Sequence, residues 1–276
     1  MSDAAGRTDA SAALLLLADA RLPTGSHAHS FGLEAAVGHG LVGDLDDLVS
    51  WVEGCVHTTW FADATATALA ARLALLPTGD DDPAPTWQLL DEEVTARIGS
   101  THGRTVSRAL GRQLLRTGRG IWTHPAIGHA DAVHHDGPTA PLALGAVTAA
   151  AGTDPREAAL LSLHHAVQSA GTAAIRLLGL DPYAVARLSA VLGPTLTDLA
   201  TTAAASTPTR PTAAVRFPTT AGPATTTSTV DAPATTAPEA LCRFRDLARC
   251  LPAAGAPMVD LLLTHHQHAE GRLFAS

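Results

Sequence analysis

The sequence predicts an all-α protein, a single helical-bundle-like domain carrying a disordered Thr/Pro/Ala-rich insert. Three observations predict it. Apolar residues recur at i, i+3 and i+4 in almost every patterned segment. Helix-start signals stand directly before several of these segments. No segment shows the apolar/polar alternation of a half-buried strand, and no repeat of solenoid period is present.

The elements follow in chain order. Residues 1–10 read as a flexible N-terminus. The apolar run "AALLLLADARL" comes next, and then the loop "LPTGSHAHSFG". In that loop Pro23 and Gly25 form a turn, and Ser26 or Ser30 can accept a hydrogen bond from an early helix N–H. Gly32 removes a side chain at the first turn, so that another backbone can approach closely. Glu34 falls near the positive end of the helix it opens. Leu33, Ala36, Val37 and Leu41 share one face of that helix. Asp44 can cap the next, with Leu45, Leu48, Val49 and Val52 on a common face. A further helix runs through "TATALAARLALL" to Pro77, and "PTGDDDPAP" is a surface loop. "TWQLLDEEVTARI" and "RTVSRALGRQLLRTG" are two more helices.

"HPAIGHADAVHHDGPTAP" breaks the pattern and reads as loop or short turns. The clearest start signal follows it. "TDPREAALL" places Asp154 at N-cap, Pro155 at N1 and Glu157 at N3, a capping box whose helix should run to about Leu178. Asp181 and Pro182 repeat the signal. From about 201 to 238 the chain is nearly all Thr, Ala and Pro. Proline forbids a continuous helix there, and the apolar bulk is too small to offset ordering entropy. Residues 239–276 complete the domain with two short helices and a tail. The second starts near Pro257, with Met258, Leu261, Leu262 and His265 on one face.

Composition narrows the function. The formal net charge is -8 with a sequence pI of about 5.9, unlike the basic face of a nucleic-acid binder. No apolar run approaches the ~18 residues of a membrane span. The apolar run near the start lacks a basic leader and is too short for a secretory signal. Cys55, Cys242 and Cys250 fit neither a zinc spacing nor a complete disulfide framework. The expectation is a cytoplasmic protein that binds neither membrane nor nucleic acid.

Chemical motifs are sparse. There is no lysine, which removes Schiff-base and P-loop lysine chemistry, and no GxSxG, HExxH or GxGxxG. The 14 histidines include several clusters, but helical metal ligands need i,i+3 or i,i+4 spacing to share a face. Within the clusters only His265 and His268 have it; His124 and His129 could also converge. No catalytic, cofactor or metal residue is assigned. Arg176, a charge within the apolar "GTAAIRLLGL", either snorkels to solvent or contacts a partner.

Three stretches, "LLLLADARLPTGSHAHSFGLEAAVGHGLV", "AGTAAIRLLGLDPYAVARL" and "HHQHAEGRLFAS", resemble the urease accessory protein UreF family. The first carries Leu22, Pro23, Gly25, Ser30, Gly32, Leu33 and Glu34 of its signature, with Ser26 and His27 in place of Gly-Phe. The second carries Ala173, Ala174, Ile175, Arg176 and Leu177. The third carries His266, Arg272, Leu273, Phe274 and Ser276, with Gln267 where Glu is usual. The resemblance implies an all-α homodimer that is not an enzyme. It implies binding to the accessory protein UreD (UreH in some systems), recruitment of the GTPase UreG, and action on urease apoprotein in GTP-dependent nickel insertion. Nickel and GTP would then be handled by the partners.

The rival readings are an all-α metal-dependent enzyme using the loop from His124 to His135, and a helical ligand-binding regulator. The tail poses its own alternative. Chain ends are usually polar and frayed, so Leu273 and Phe274 either fold back onto the core or anchor a partner, with Arg272 at the rim. The partner-interface candidates are Arg176, His266, Arg272, Leu273 and Phe274.

Overall fold

A computed structural model of the chain describes residues 9–25, 29–77, 82–205, 237–253, 255–266 and 273–274. Twelve helices and no strand occur among these residues. In order they are α1 (Ala10–Ala18), α2 (Leu33–Gly38), α3 (Leu45–Val56), α4 (Thr59–Ala74), α5 (Ala84–Arg97) and α6 (Thr101–Ile121). Then come α7 (Pro125–Asp131), α8 (Ala140–Ala150), α9 (Pro155–Leu178), α10 (Pro182–Ala205), α11 (Ala237–Arg249) and α12 (Pro257–His266). No described helix is long and apolar enough to cross a membrane.

Local signals set several of the boundaries. Asp154 accepts the Glu157 N–H at 2.8 Å, and the Glu157 carboxylate accepts the Asp154 N–H at 2.9 Å. This is the reciprocal capping box, with Pro155 at N1. The helix ends at Gly179, in the left-handed conformation at φ 66°. Asp44 caps α3 by accepting the Asp47 N–H at 3.0 Å.

The core has two apolar clusters joined along α4. Ala66, Leu69, Ala70 and Leu73 face the first, which holds Trp87, Leu115, Leu142 and Phe244. Trp60, Ala64 and Ala68 face the second, which holds Leu33, Leu48, Leu163, Ala173 and Phe274. α4 packs chiefly on α8 and α9. The α4–α8 approach depends on a missing side chain. A Cβ on Gly145 would lie 2.4 Å from the Thr67 carbonyl oxygen and 2.5 Å from the Ala70 Cβ. Small residues are what bring these axes together.

The loop expected from 124 to 141 is in part helical. Residues 125–131 form α7, capped by the His124 ring, whose Nδ1 accepts the Ala126 N–H at 3.1 Å. α8 begins at Ala140 and is the most enclosed helix; residues 141–149 are all buried. The low-complexity composition starts at 201, but 201–205 are the last turn of α10, with Ala203 buried. Arg156 donates to the Thr201 hydroxyl there at 3.0 Å. Residues 206–236, most of the expected insert, lie outside the described residues, as do 1–8. In the predicted apolar face of α12 only Leu262 is buried; Met258 and Leu261 are more than half exposed. Leu41 is exposed beyond the end of α2.

Candidate docking site at the junction of the two chain ends

Leu22, Pro23 and Gly25 form a turn seated on α6, where the Pro23 carbonyl accepts from the Gln113 amide and the Thr117 hydroxyl, each at 2.8 Å. The chain re-emerges at Ser30, whose hydroxyl accepts the Glu34 N–H at 3.3 Å. Gly32 is the N-cap of α2 with φ 89°, a conformation that costs a side chain strain. It also has a neighbour, since a Cβ there would sit 3.4 Å from the Val259 side chain of α12. Leu33 is fully buried beneath this contact.

Glu34, at the first turn of α2, reaches the other end of the chain. Its carboxylate accepts the Leu273 N–H at 2.7 Å and the Phe274 N–H at 3.0 Å. Phe274 is buried at 5% exposure in the same cluster as Leu33, Ala173, Ala174 and Leu262. The Arg176 guanidinium, near the end of α9, lies 4.5 Å from the centre of the Phe274 ring, within cation–π range. Leu273 points the other way, 56% exposed.

Residues of all three family-like stretches thus meet in one place: Gly32, Leu33 and Glu34 from the first, Arg176 from the second, Leu273 and Phe274 from the third. The rings of His39 and His265 meet edge-on at 5.9 Å where α2 faces α12. Arg272 and Ser276, with Ser26, His27, Gln267 and His268, lie outside the described residues, and so does the His266 side chain. The junction offers an exposed leucine beside an Arg-capped aromatic, which is recognition chemistry rather than bond-making chemistry.

Several side chains of the histidine loop are engaged by their neighbours. His124 is spent as a helix cap, and burial followed by the neighbouring His129 lowers its pKa. His129 sits against Trp87, with ring centres 6.3 Å apart. His134, His135 and Asp136 are the only described residues that bring three ligand-type atoms within 4.8 Å. However, the His134 and His135 rings stack at 4.2 Å. The His135 Nε2 lies 3.2 Å from the Asp136 carboxylate. The His134 Nδ1 is already accepting the Asp136 N–H at 3.0 Å.

Two polar features, one buried and one half-buried, escaped the sequence reading. Arg108 on α6 donates to the Asp91 carboxylate at 3.0 Å, to the Thr95 hydroxyl at 3.0 Å and to the Gly137 carbonyl at 2.6 Å. The other Asp91 oxygen accepts the Thr139 N–H at 2.8 Å. This network ties α5, α6 and the entrance of α8 together. The second is Asp63, a lone acid in the apolar "ADATATALAA" of α4. Its position was the available signal: a charge on a face otherwise buried.

Comparison with known proteins gives a consistent result. The UreF family model matches residues 42–193. The urease accessory protein UreF of Mycobacterium sp. (strain JLS) is 39% identical over 191 residues, covering 69% of this chain and 84% of that protein. The protein of the same name from Mycobacterium marinum (strain ATCC BAA-535 / M) is 33% identical over 265 residues, covering 96% and 98%. That from Mycobacterium tuberculosis (strain ATCC 25177 / H37Ra) is 36% identical over 173 residues, covering 62% and 74%.

Proposed function

The chain belongs to the UreF family, and on that premise we propose that it works as a cytoplasmic maturation chaperone that docks partners through the junction of its two ends. It is an accessory protein, not an enzyme, within the urease accessory system. The partners are a UreD/UreH-like accessory protein, a UreG-like GTPase and urease apoprotein, and the working form is a homodimer. The outcome is GTP-dependent insertion of nickel into urease, with both GTP and nickel handled by the partners.

One observation carries the docking reading. Leu273 stands 56% exposed on a tail that Glu34 and Arg176 hold in place. An apolar side chain on a pre-ordered backbone loses little entropy on binding, and such residues are the usual anchors of an interface centre. Arg176 and Phe274 act from beneath by fixing the tail, and His266 and Arg272 flank it in sequence.

The test is genetic and biochemical together. The gene should restore urease activity in a urease-producing host that lacks its own UreF, and tagged protein from those cells should co-purify the UreD/UreH-like partner. Restored activity without that co-purification would break the docking reading; failure of both would break the functional one.

A further inference from the structure

Around Asp63 the helices do not close completely. A cavity of about 100 Å³ lies toward α9, and a cleft of about 380 Å³ lies toward α5 and α12. Phe31, Trp60, Asp63, Leu110, Ala140 and Pro141 border both. The larger volume falls in the ~300–1,000 Å³ range of small-molecule sites. Phe31 holds φ 51°, the one positive value among described non-glycine residues.

The walls are apolar apart from a few groups, and most of those are engaged. Arg97 is bound to the Glu93 carboxylate and to the carbonyls of Leu251 and Pro252. Asp260 accepts the backbone N–H groups of Ser100 and Gly99. The His165 Nε2 is 2.9 Å from the Leu17 carbonyl. Asp63 differs from these. Its side chain is half-buried and borders both cavities, and burial alone raises its pKa, to about 7; no cation or donor stands beside it among the described residues. One turn earlier on the same helix, the Thr59 hydroxyl is buried without a hydrogen-bond partner and borders the cleft.

We propose that the Asp63 cavity is a binding site for a small amphiphilic ammonium ion, with the charged head on the Asp63 carboxylate and the apolar body between Trp60, Phe31, Leu110 and Pro141. The chemistry excludes the other classes. An anion would meet a carboxylate, and no free cation lines the cavity among the described residues. A neutral hydrocarbon would leave the acid, protonated or not, without a hydrogen-bond partner. A bare metal ion would find one carboxylate where it needs several hard ligands. An organic ammonium supplies the counter-charge, donates hydrogen bonds, and is favoured over the aromatic faces of Trp60 and Phe31. This site goes beyond the docking role, which stands or falls without it.

Calorimetry on the full chain compares hexylammonium chloride with 1-hexanol, at about pH 8.5 so that the carboxylate is ionised. The site predicts hexylammonium binding at least about tenfold tighter than hexanol. Asp63→Asn, which keeps the shape, should bring the amine down to the level of the alcohol. Ala140→Leu, which fills the shared wall without touching the carboxylate, should weaken both. Equal binding of amine and alcohol to the unaltered protein, binding of neither, or amine binding indifferent to Asp63→Asn would each overturn the proposal.

Discussion

The carboxylate of Glu34 accepts the backbone N–H of Phe274 at 3.0 Å across 240 positions of sequence, and that of Leu273 at 2.7 Å. A helix-opening glutamate near one end of the chain thus fixes the path of the other end. The bonds go to main-chain donors, so they specify the course of the tail while leaving the Leu273 side chain free.

Replacing Glu34 with Ala should therefore release the tail. Charge-assisted hydrogen bonds contribute ~1.5–3 kcal/mol each when well shielded; for this half-exposed pair we expect a loss of about 1–2 kcal/mol in total. Thermal melting should show the drop, and carboxypeptidase should liberate Phe274 faster. An unchanged digestion rate would mean that burial of the Phe274 ring alone holds the tail.

The Asp91–Arg108 network is a second point of failure. Asp91→Ala strands a buried guanidinium and leaves the Thr139 N–H without its acceptor. Removing one partner of a buried ion pair costs ~3–5 kcal/mol. Urea unfolding should place this variant and Arg108→Met both in that range, and the double change Asp91→Leu with Arg108→Met closer to the parent protein. A loss below about 1 kcal/mol for Asp91→Ala would show that water replaces the carboxylate.

Stability against pH should carry two opposing contributions. Burial raises Asp63 to about 7, against about 4 in the unfolded chain. Its contribution is therefore fully present below pH ~4 and lost as pH rises toward 7. Burial, opposed by the Leu17 carbonyl and aided by His164, lowers His165 to about 4. Its contribution is present above pH ~6.5 and lost as pH falls toward 4. Asp63→Asn removes the first alone. The stability difference between variant and parent should grow by about 3 kcal/mol between pH 4 and 7 and level off above pH ~8. A difference that stays flat across that window would show that Asp63 titrates as an exposed carboxyl does.

Much of this fold is legible in the sequence, and the parts that are not have physical causes. The capping box at Asp154 and Glu157 fixes the start of α9 because the signal is local: two side chains and two N–H groups within one turn. α8 left no such trace. Buried along residues 141–149, it has no polar face, so it has no period to detect, and Pro141 in its first turn reads as loop. Gly145 looks like a weak point in a helix until the Thr67 carbonyl appears beside it. The junction shows the same limit. Residues of its three stretches could be singled out one by one, but no periodicity says that Glu34 and Phe274 meet. Asp63 stands as a charge in an apolar run, and only packing shows that nothing among the described residues answers it.

Leu273, beside the held Phe274, is the side chain proposed to meet a partner. Truncating the tail is a blunt test, because it also removes Phe274 from the core, where losing such a ring costs ~3–5 kcal/mol. Leu273→Ser leaves the Glu34 bonds and the Phe274 ring in place. The decisive measurement is the affinity of this variant for the purified UreD/UreH-like partner, with the melting temperature of the isolated protein taken alongside. An unchanged melting temperature and an affinity reduced by at least about tenfold are expected, as for an interface anchor. Parental affinity with an unchanged melting temperature would contradict this.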